Sequence, residues 1–491
     1  MASTDERSFS VSIDRSEKRK MVIERSNEDS RSSTEPDIIA DQREWSTTIT
    51  KPSGSCPQWL LPILCEQETT SEKNAIDKVP ITIRQGTEKR KDCFNPMVVS
   101  IGPYHNQDKD KEGNPKFARV EKLKASIAKE FIGGKTEELV KFEEVAHKAK
   151  AFYDKTSTAN LSNDQFTRMM FLDGCFVLHS IDCILNKSYN TRMKTDQTAF
   201  VLRDLFLLEN QLPFLVLEAL MSFKPSKSEW EELIHKFVLK PLSLERKIPK
   251  EKVEWKHLLD LLHMKLICNT DQQRKLSEGS KMPYDDWQSF RSVIELKEAG
   301  IKCKKIKGGS FRDVSFKDGH VRANLFLPQL VVDDFTKSIL LNLVAYEASP
   351  DGPSDYVVAS FIVFLDALID HAEDVKELRS KGIIHNLLGS DQQVADLFNE
   401  LANNLVPSSS EYLDIKKGIE THCNKIVPKW MTDLWSTHFS SPWTVFAFFV
   451  AGSIIILTFA QTYFSIFPRG GGGEGERKAP IPSRKLHSFF D

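Results

Sequence analysis

The stretch FVLRDLFLLENQLPFLVLEALMSF, residues 200–223, decides how the rest of the chain is read. Its length and apolar content match a membrane span, which needs about 20 residues as a helix. Arg203, Asp204, Glu209 and Glu218 interrupt it, and an ionised side chain at the bilayer centre costs about 2.5 kcal/mol or more. Pro213 lacks the amide that a continuous helix requires and breaks or kinks it. The stretch therefore predicts two buried helices of a soluble core. Between them, LENQLP (208–213) sets Glu209, Asn210 and Gln211 among apolar runs. Buried polar groups need partners, so these side chains are expected to hydrogen-bond backbone at the helix break.

The stretch WTVFAFFVAGSIIILTFAQTYFSIF, residues 443–467, gives the opposite reading, because it holds no Asp, Glu, Lys or Arg. Ile454, Ile455, Ile456 and Leu457 lie mid-span, with Trp443 near one end and Tyr463 and Phe467 near the other. Amphipathic rings rest at the headgroups, and Pro442 and Pro468 bracket the helix. This is a single-pass membrane anchor; a buried core helix is the alternative. No apolar run follows the opening charges of MASTDERSFSVSIDRSEKRK, so no secretory signal is visible. A tail-anchored layout follows: main domain in the cytosol, the basic Gly-rich tail 468–491 on the far side, and the plasma membrane as the working site. Arg469, Arg477, Lys478, Arg484 and Lys485 in that tail oppose this orientation, since basic flanks favour the cytosol. The sequons at Asn160 and Asn186 matter only if the domain is luminal.

The chain has 491 residues, 40% hydrophobic and 28% charged, as in globular proteins. A net charge of -2 gives no reason to expect nucleic acid as a partner. The 8 cysteines form no CxxC pair and are too sparse for a disulfide scaffold, which fits reduced thiols in a cytosolic domain. Residues 1–43 are polar and rich in charge of both signs, a disordered composition. Residues 44–439 form a helix-rich domain, with the apolar 57–65 packed on it. Helical spacing predicts helices over 115–131, 137–153, 163–185, 229–237, 255–267 and 289–299, the last stopped by Gly300. Further helices are expected over 335–344, 356–369 and 412–439, and 375–378 and 383–388 lead into one over 392–406. Val98, Val99 and Ile101 suit a strand or extended core segment before the Gly102-Pro103 turn, and 270–286 reads as an exposed loop. Near 301–327, alternating runs separated by Gly308-Gly309 and Asp318-Gly319 predict a three-stranded antiparallel meander. The fold class is mainly α with a small antiparallel β meander (α+β), plus one C-terminal transmembrane helix.

The runs VPITIR (79–84), VVSIGPYH (98–105), MMFLDGCFVLH (169–179), DLFLLENQLPFLVL (204–217), IELKEAGIKCK (294–304), LPQLVVDDFTKSILLNLVAYE (327–347) and DVKELRSKGIIHNLLGSD (374–391) occur in that order before the terminal span. Together they resemble the plant family known as domain of unknown function 247, over residues 79–463. The resemblance implies a plant membrane protein with a helix-rich domain. Relatives tied to self-recognition in grass pollen point to an interaction role. The family brings no agreed reaction, so no catalytic residue carries over. Asn106 stands where a second His is common, while Gly102, Pro103, Tyr104 and His105 are retained.

Candidate chemistry is sparse. FIGGKTEEL (131–139) contains GGKT, but Lys129 occupies the position where a phosphate loop needs Gly, and no strand leads in. Cys175, His179 and Cys183 share a helix face; at 1.5 Å rise the outer pair is about 12 Å apart, so all three cannot hold one ion, and a core face explains them better. Asp366, Asp370, Glu373 and Asp374 surround His371, at a site for acid–base or metal chemistry or on a solvated face. His105 is either a functional loop histidine or a turn cap. No GxSxG, HExxH or GxGxxG pattern occurs. No catalytic, cofactor-binding or metal residue is therefore assigned. The expected function is a membrane-tethered interaction or recognition module without catalysis, engaging lipid through 443–467 and a protein partner elsewhere. The alternatives are a membrane-bound enzyme of an unrecognised class, with His105 or Asp366 and Asp370 nearest to a site, and a scaffold within a homo-oligomer.

Overall fold

The computed structural model describes residues 76–85, 88–109, 113, 115–132, 136–186, 193–223, 227–242, 254–268, 291–306, 308–319, 322–408, 410–424 and 442–467. The chain divides into units 1–69 and 70–491, and every described residue belongs to the second. The expectations for 1–43, 57–65, 270–286 and 468–491 lie outside the described residues.

Among the described residues, those from 118 to 267 are mainly helical, as their periodicity requires. After α1 (Ala118–Ile132) and α2 (Thr136–Ala149) comes α3 (Asn163–Asn186), the longest buried helix. Phe166, Met170, Phe176, Val177 and Ile181 of α3 are fully buried. The cause is its position, because α3 packs against α1, α2, α5 (Phe214–Met221) and α6 (Lys227–Val238). Gly174 lets α5 approach closely, since a Cβ there would strike the Leu220 side chain. The stretch 200–223 breaks as its proline and charges dictate. α4 (Thr195–Asp204) ends, a 3-10 turn covers Leu208–Asn210, and α5 begins after Pro213. Helices α7 (Leu258–Ile267) and α8 (Val293–Glu298) follow, and Gly300 stops α8 in the left-handed conformation (φ 84°) that favours glycine.

The β region is a mixed sheet and not the expected antiparallel meander. β1 (Ile301–Ile306) pairs parallel with β3 (Ala323–Pro328), Ile301 opposite Ala323. β2 (Ser315–Lys317) pairs antiparallel with the other side of β3, giving the order β1-β3-β2. The reason lies between β1 and β2. Gly308-Gly309 does not close a hairpin; Ser310 instead caps a 3-10 turn over Phe311–Asp313. The buried Phe311 ring stacks on Phe361 at 4.0 Å and draws the chain across to the far edge of β3. A second, parallel pair joins β4 (Leu330–Val332) to β5 (Ile384–Asn386), where the sequence had pointed to a lead-in to a helix. A three-residue strand is too short for its period to separate it from helix.

Helices α9 (Thr336–Glu347), α10 (Val357–Leu368), α11 (Ala372–Ser380) and α12 (Asp391–Leu401) complete the core. α13 (Leu413–Cys423) covers the start of the helix expected over 412–439, and 425–441 lie outside the described residues. The apolar span forms α14 (Pro442–Ile466).

Gly174→Leu is expected to lower stability by about 1–3 kcal/mol through overpacking. That outweighs the gain of up to about 1 kcal/mol from removing a helical glycine. A denaturant midpoint at or above that of the wild type would contradict the close α3–α5 approach.

Candidate functional site

The segment from Met97 to Gly102 forms no strand among the described residues. It bends at Met97, Val98 and Gly102, in place of the expected strand or extended segment, and three successive amides converge on one carboxylate. Its backbone groups must still be satisfied, and side chains do this. The Asp204 carboxylate, at the end of α4, accepts the amides of Met97 (3.0 Å), Val98 (2.7 Å) and Val99 (3.1 Å). Asn210 Oδ1 accepts the Ile101 amide at 2.6 Å, while its Nδ2 donates to the carbonyls of Val99 and Asp204. Asp173 of α3 accepts the Gly102 amide at 2.8 Å. Gln211 Nε2 donates to the Leu205 and Leu207 carbonyls, and its Oε1 accepts the Leu259 amide. The polar residues at the helix break thus bond backbone as their setting requires, and they act in place of a neighbouring strand.

Charge is matched along this seam. Arg203 Nη1 lies 2.8 Å from Asp204 and also donates to the Asn95 carbonyl. Burial pushes the Asp204 carboxyl above its usual range, and the Val98 and Val99 amides and Arg203 oppose that shift. Lys124 is buried, and its three protons face the Ser100 carbonyl (2.5 Å), Asp173 (2.6 Å) and Glu121 (2.6 Å). Burial favours its neutral form, but Asp173 and Glu121 hold its pKa above the ordinary value.

His105, in the GPYH turn, closes the other end. Its side chain is 8% exposed, with Nδ1 2.9 Å from Asp108 and Nε2 3.4 Å from Glu209 Oε2. Glu209 also accepts the Val79 amide (2.8 Å) and pairs with Arg84 at 2.6 Å. Burial alone raises the Glu209 carboxyl, yet His105, Arg84 and the Val79 amide outweigh it and hold it below its ordinary value. An imidazole between two carboxylates resembles an acid–base pair. Here both carboxylates belong to turns, and the ring ties GPYH to LENQLP. The exposed Asn106 takes no part.

A second buried cluster escaped the sequence reading. Glu347, the last residue of α9, accepts the Val358 and Ala359 amides at 2.8 and 2.9 Å and so caps α10. His263 Nε2 lies 2.9 Å from Glu347, and Tyr346 donates to Asp260 at 2.8 Å. Donor atoms of His263, Glu347 and Asp355 lie within 4.8 Å of one another, a grouping that among the described residues could hold a divalent cation. Against that use, Glu347 is already held by two amides and an imidazole, and Arg312 sits 2.5 Å from Asp355. A cation would have to compete with those fixed donors. The one sequence signal was a Glu closing an otherwise apolar helix.

The remaining candidates do not converge. Cys183 Sγ lies 3.5 Å from His179 Nε2, and Cys175 is buried separately in the core. His179 and Cys183 border a small apolar pocket with Leu123, Met193 and Val201. Asp374 spends its carboxylate on the amides of Ile294, Asp370 and His371, capping α11 and tying it to α8, while Glu373 and His371 are exposed. The GGKT turn falls on 133–135, outside the described residues.

A family model described as a plant protein of unknown function, DUF247, matches residues 76–457. UPF0481 protein At3g47200 of Arabidopsis thaliana is 28% identical over 458 residues, covering 86% of this chain and 92% of that protein. Putative UPF0481 protein At3g02645 of the same plant is 21% identical over 515 residues, covering 84% of this chain and 95% of that protein. No solved structure matches the chain.

Asp204→Asn leaves one oxygen for three amides and sets an NH2 group against them. A loss of about 3 kcal/mol or more is expected, on the scale of a broken buried charge network. Asp108→Asn, at a partly exposed pair, is expected to cost under about 1 kcal/mol. Urea denaturation of both variants checks the contrast. Because the folded-state pKa of Glu209 is depressed, its contribution is complete above the ordinary 4.5 and is lost as pH falls through the lower folded value. Glu209→Gln should therefore lower the melting temperature at neutral pH, and the gap to wild type should close in acid.

Proposed function

We propose that this chain, which belongs to the plant protein family of unknown function DUF247, is a membrane-tethered interaction module that works without catalysis. One comparison carries the tethering. Helices α3 and α14 are each long and apolar enough to cross a bilayer. Most of the apolar stretch of α3 is buried inside the domain, 72% of it, whereas none of that of α14 is. Ile456 is 70% exposed and Phe459 74% exposed. In water such a surface is unfavourable; in lipid it is matched. The hydroxyls of Ser453, Thr458 and Thr462 donate to the carbonyls of Phe449, Ile454 and Thr458, so these polar groups are satisfied within the helix, as a hydrocarbon setting demands. The anchor residues Trp443, Ile454, Ile455, Ile456, Leu457, Tyr463 and Phe467 are all exposed.

The domain is proposed to face the cytosol, at the plasma membrane. Cys93, Cys175, Cys183, Cys303 and Cys423 are buried and joined in no disulfide among the described residues, which suits a reducing compartment. The non-catalytic half of the reading is supported by His105 Nδ1 and His263 Nε2, which face Asp108 of the GPYH turn region and Glu347, the cap of α10. Tethering raises the effective concentration of any partner at the same membrane, so modest contacts there suffice.

The full-length chain should remain with membranes in alkaline carbonate, and the double change Ile455→Lys with Leu457→Lys should release it. Release of the wild type overturns the anchor. Protease added outside sealed vesicles of cytosolic orientation should digest the domain; a shielded domain carrying glycan at Asn160 or Asn186 reverses the topology.

A further inference from the structure

The mixed sheet has one face against the core and one face outward. Register fixes what the outer face carries: Lys302 opposite Asn324, Lys304 opposite Phe326, and on the other edge Ser315 opposite Phe326 and Lys317 opposite Asn324. Lys302, Lys304 and Lys317 are exposed, and among the described residues none of them joins an ion pair. Phe326 is half-buried between them, with Lys304 Nζ 5.9 Å and Lys317 Nζ 5.2 Å from its ring centre. The face therefore carries three ammonium groups outside any ion pair among the described residues, two of them beside one aromatic ring, on a short sheet. Ammonium groups attract anionic lipid surfaces, and aromatic rings settle at the headgroup level.

The path of the chain connects this face to the bilayer. α13 packs beneath the sheet, where Gly418 lies against the Phe316 ring. At its end, buried His422 Nδ1 lies 2.6 Å from Asp318, the residue that follows Lys317. The domain therefore hands the chain on beside the edge of the lysine face. Residues 425–441 then lead to α14, a distance of at most about 60 Å even when fully extended. Asp318, which follows Lys317 in the chain, is engaged by His422 and by the Gly319 amide.

We infer that the outer face of the β1-β3-β2 sheet is a docking surface for anionic headgroups of the bilayer that α14 enters. The inference rests on the proposed tether and adds an orientation to it: the sheet turns toward the leaflet, and the helical half turns away. Charge complementarity, the aromatic at the centre of the face and the exit point at its edge all select lipid as the occupant.

The test uses the full-length chain reconstituted into vesicles of phosphatidylcholine alone or of phosphatidylcholine with phosphatidylserine, treated with a membrane-impermeant amine-acylating reagent and read by mass spectrometry. In the phosphatidylserine vesicles Lys302, Lys304 and Lys317 should be acylated several-fold less than in the neutral ones, while Lys141 and Lys148 of α2 change little. The difference should vanish in about 1 M salt, where the Debye length is about 3 Å. Equal acylation in both lipids overturns the inference. So does protection by added polyglutamate on neutral vesicles without protection by phosphatidylserine, which assigns the face to an acidic protein. A chain that floats with neither vesicle after carbonate treatment instead fails the tether itself, so the two failures are distinguishable.

Discussion

The backbone of residues 97–102 is the constraint from which the architecture of this domain follows. A largely buried segment outside regular structure needs partners for its amides and carbonyls, and no strand supplies them among the described residues. Asp204, Asn210 and Asp173 take that role from three separate places in the helical half. Each of these polar groups is buried and so must be fully matched, which fixes in turn the positions of Arg203 and Lys124. Four of the sequence runs that carry the family resemblance, VPITIR, VVSIGPYH, MMFLDGCFVLH and DLFLLENQLPFLVL, meet in this seam through Val79, Arg84, Gly102, Asp173, Asp204 and Glu209. Their common task is structural, and the motifs mark a way of holding backbone.

The same logic separates the two long apolar helices. α3 and α14 are alike in length and composition. α3 contains Gly174 and lies where α1, α2, α5 and α6 can cover it. α14 is bounded by prolines in the sequence and exposes its apolar side chains all round. Apolarity alone does not distinguish a core from a membrane span; what surrounds the helix does.

Much of this was legible in the residues. Helical periodicity located α1, α2 and α3 to within a few positions, and Pro213 marked the break before α5. The bonding of Asn210 and Gln211 was also legible, since polar groups in an apolar run have few alternatives. The identity of their partners was not: Val99 lies 111 residues from Asn210, and local pattern carries no information at that range. The parallel pairing of β1 with β3 was hidden for a related reason. Two glycine turns read as hairpins, while the deciding event was burial of Phe311 against Phe361 in a distant helix. His263 and Glu347 carry no local signal of their pairing, because each gains meaning only from the other, 84 residues away.

Those long separations give the nascent chain a waiting time. The Cys93 carbonyl finds its donor in Asn342, 249 residues later, and Arg90 reaches the Asn403 carbonyl over 313. At translation speeds of about 5–20 residues per second, the first of these contacts is delayed by roughly 10–50 s. Throughout that interval the Cys93 carbonyl waits for its donors on α9, although Asp173, Asp204 and Asn210 are already available to the amides of 97–102. The hydrophobic C-terminal helix appears only after that interval has closed.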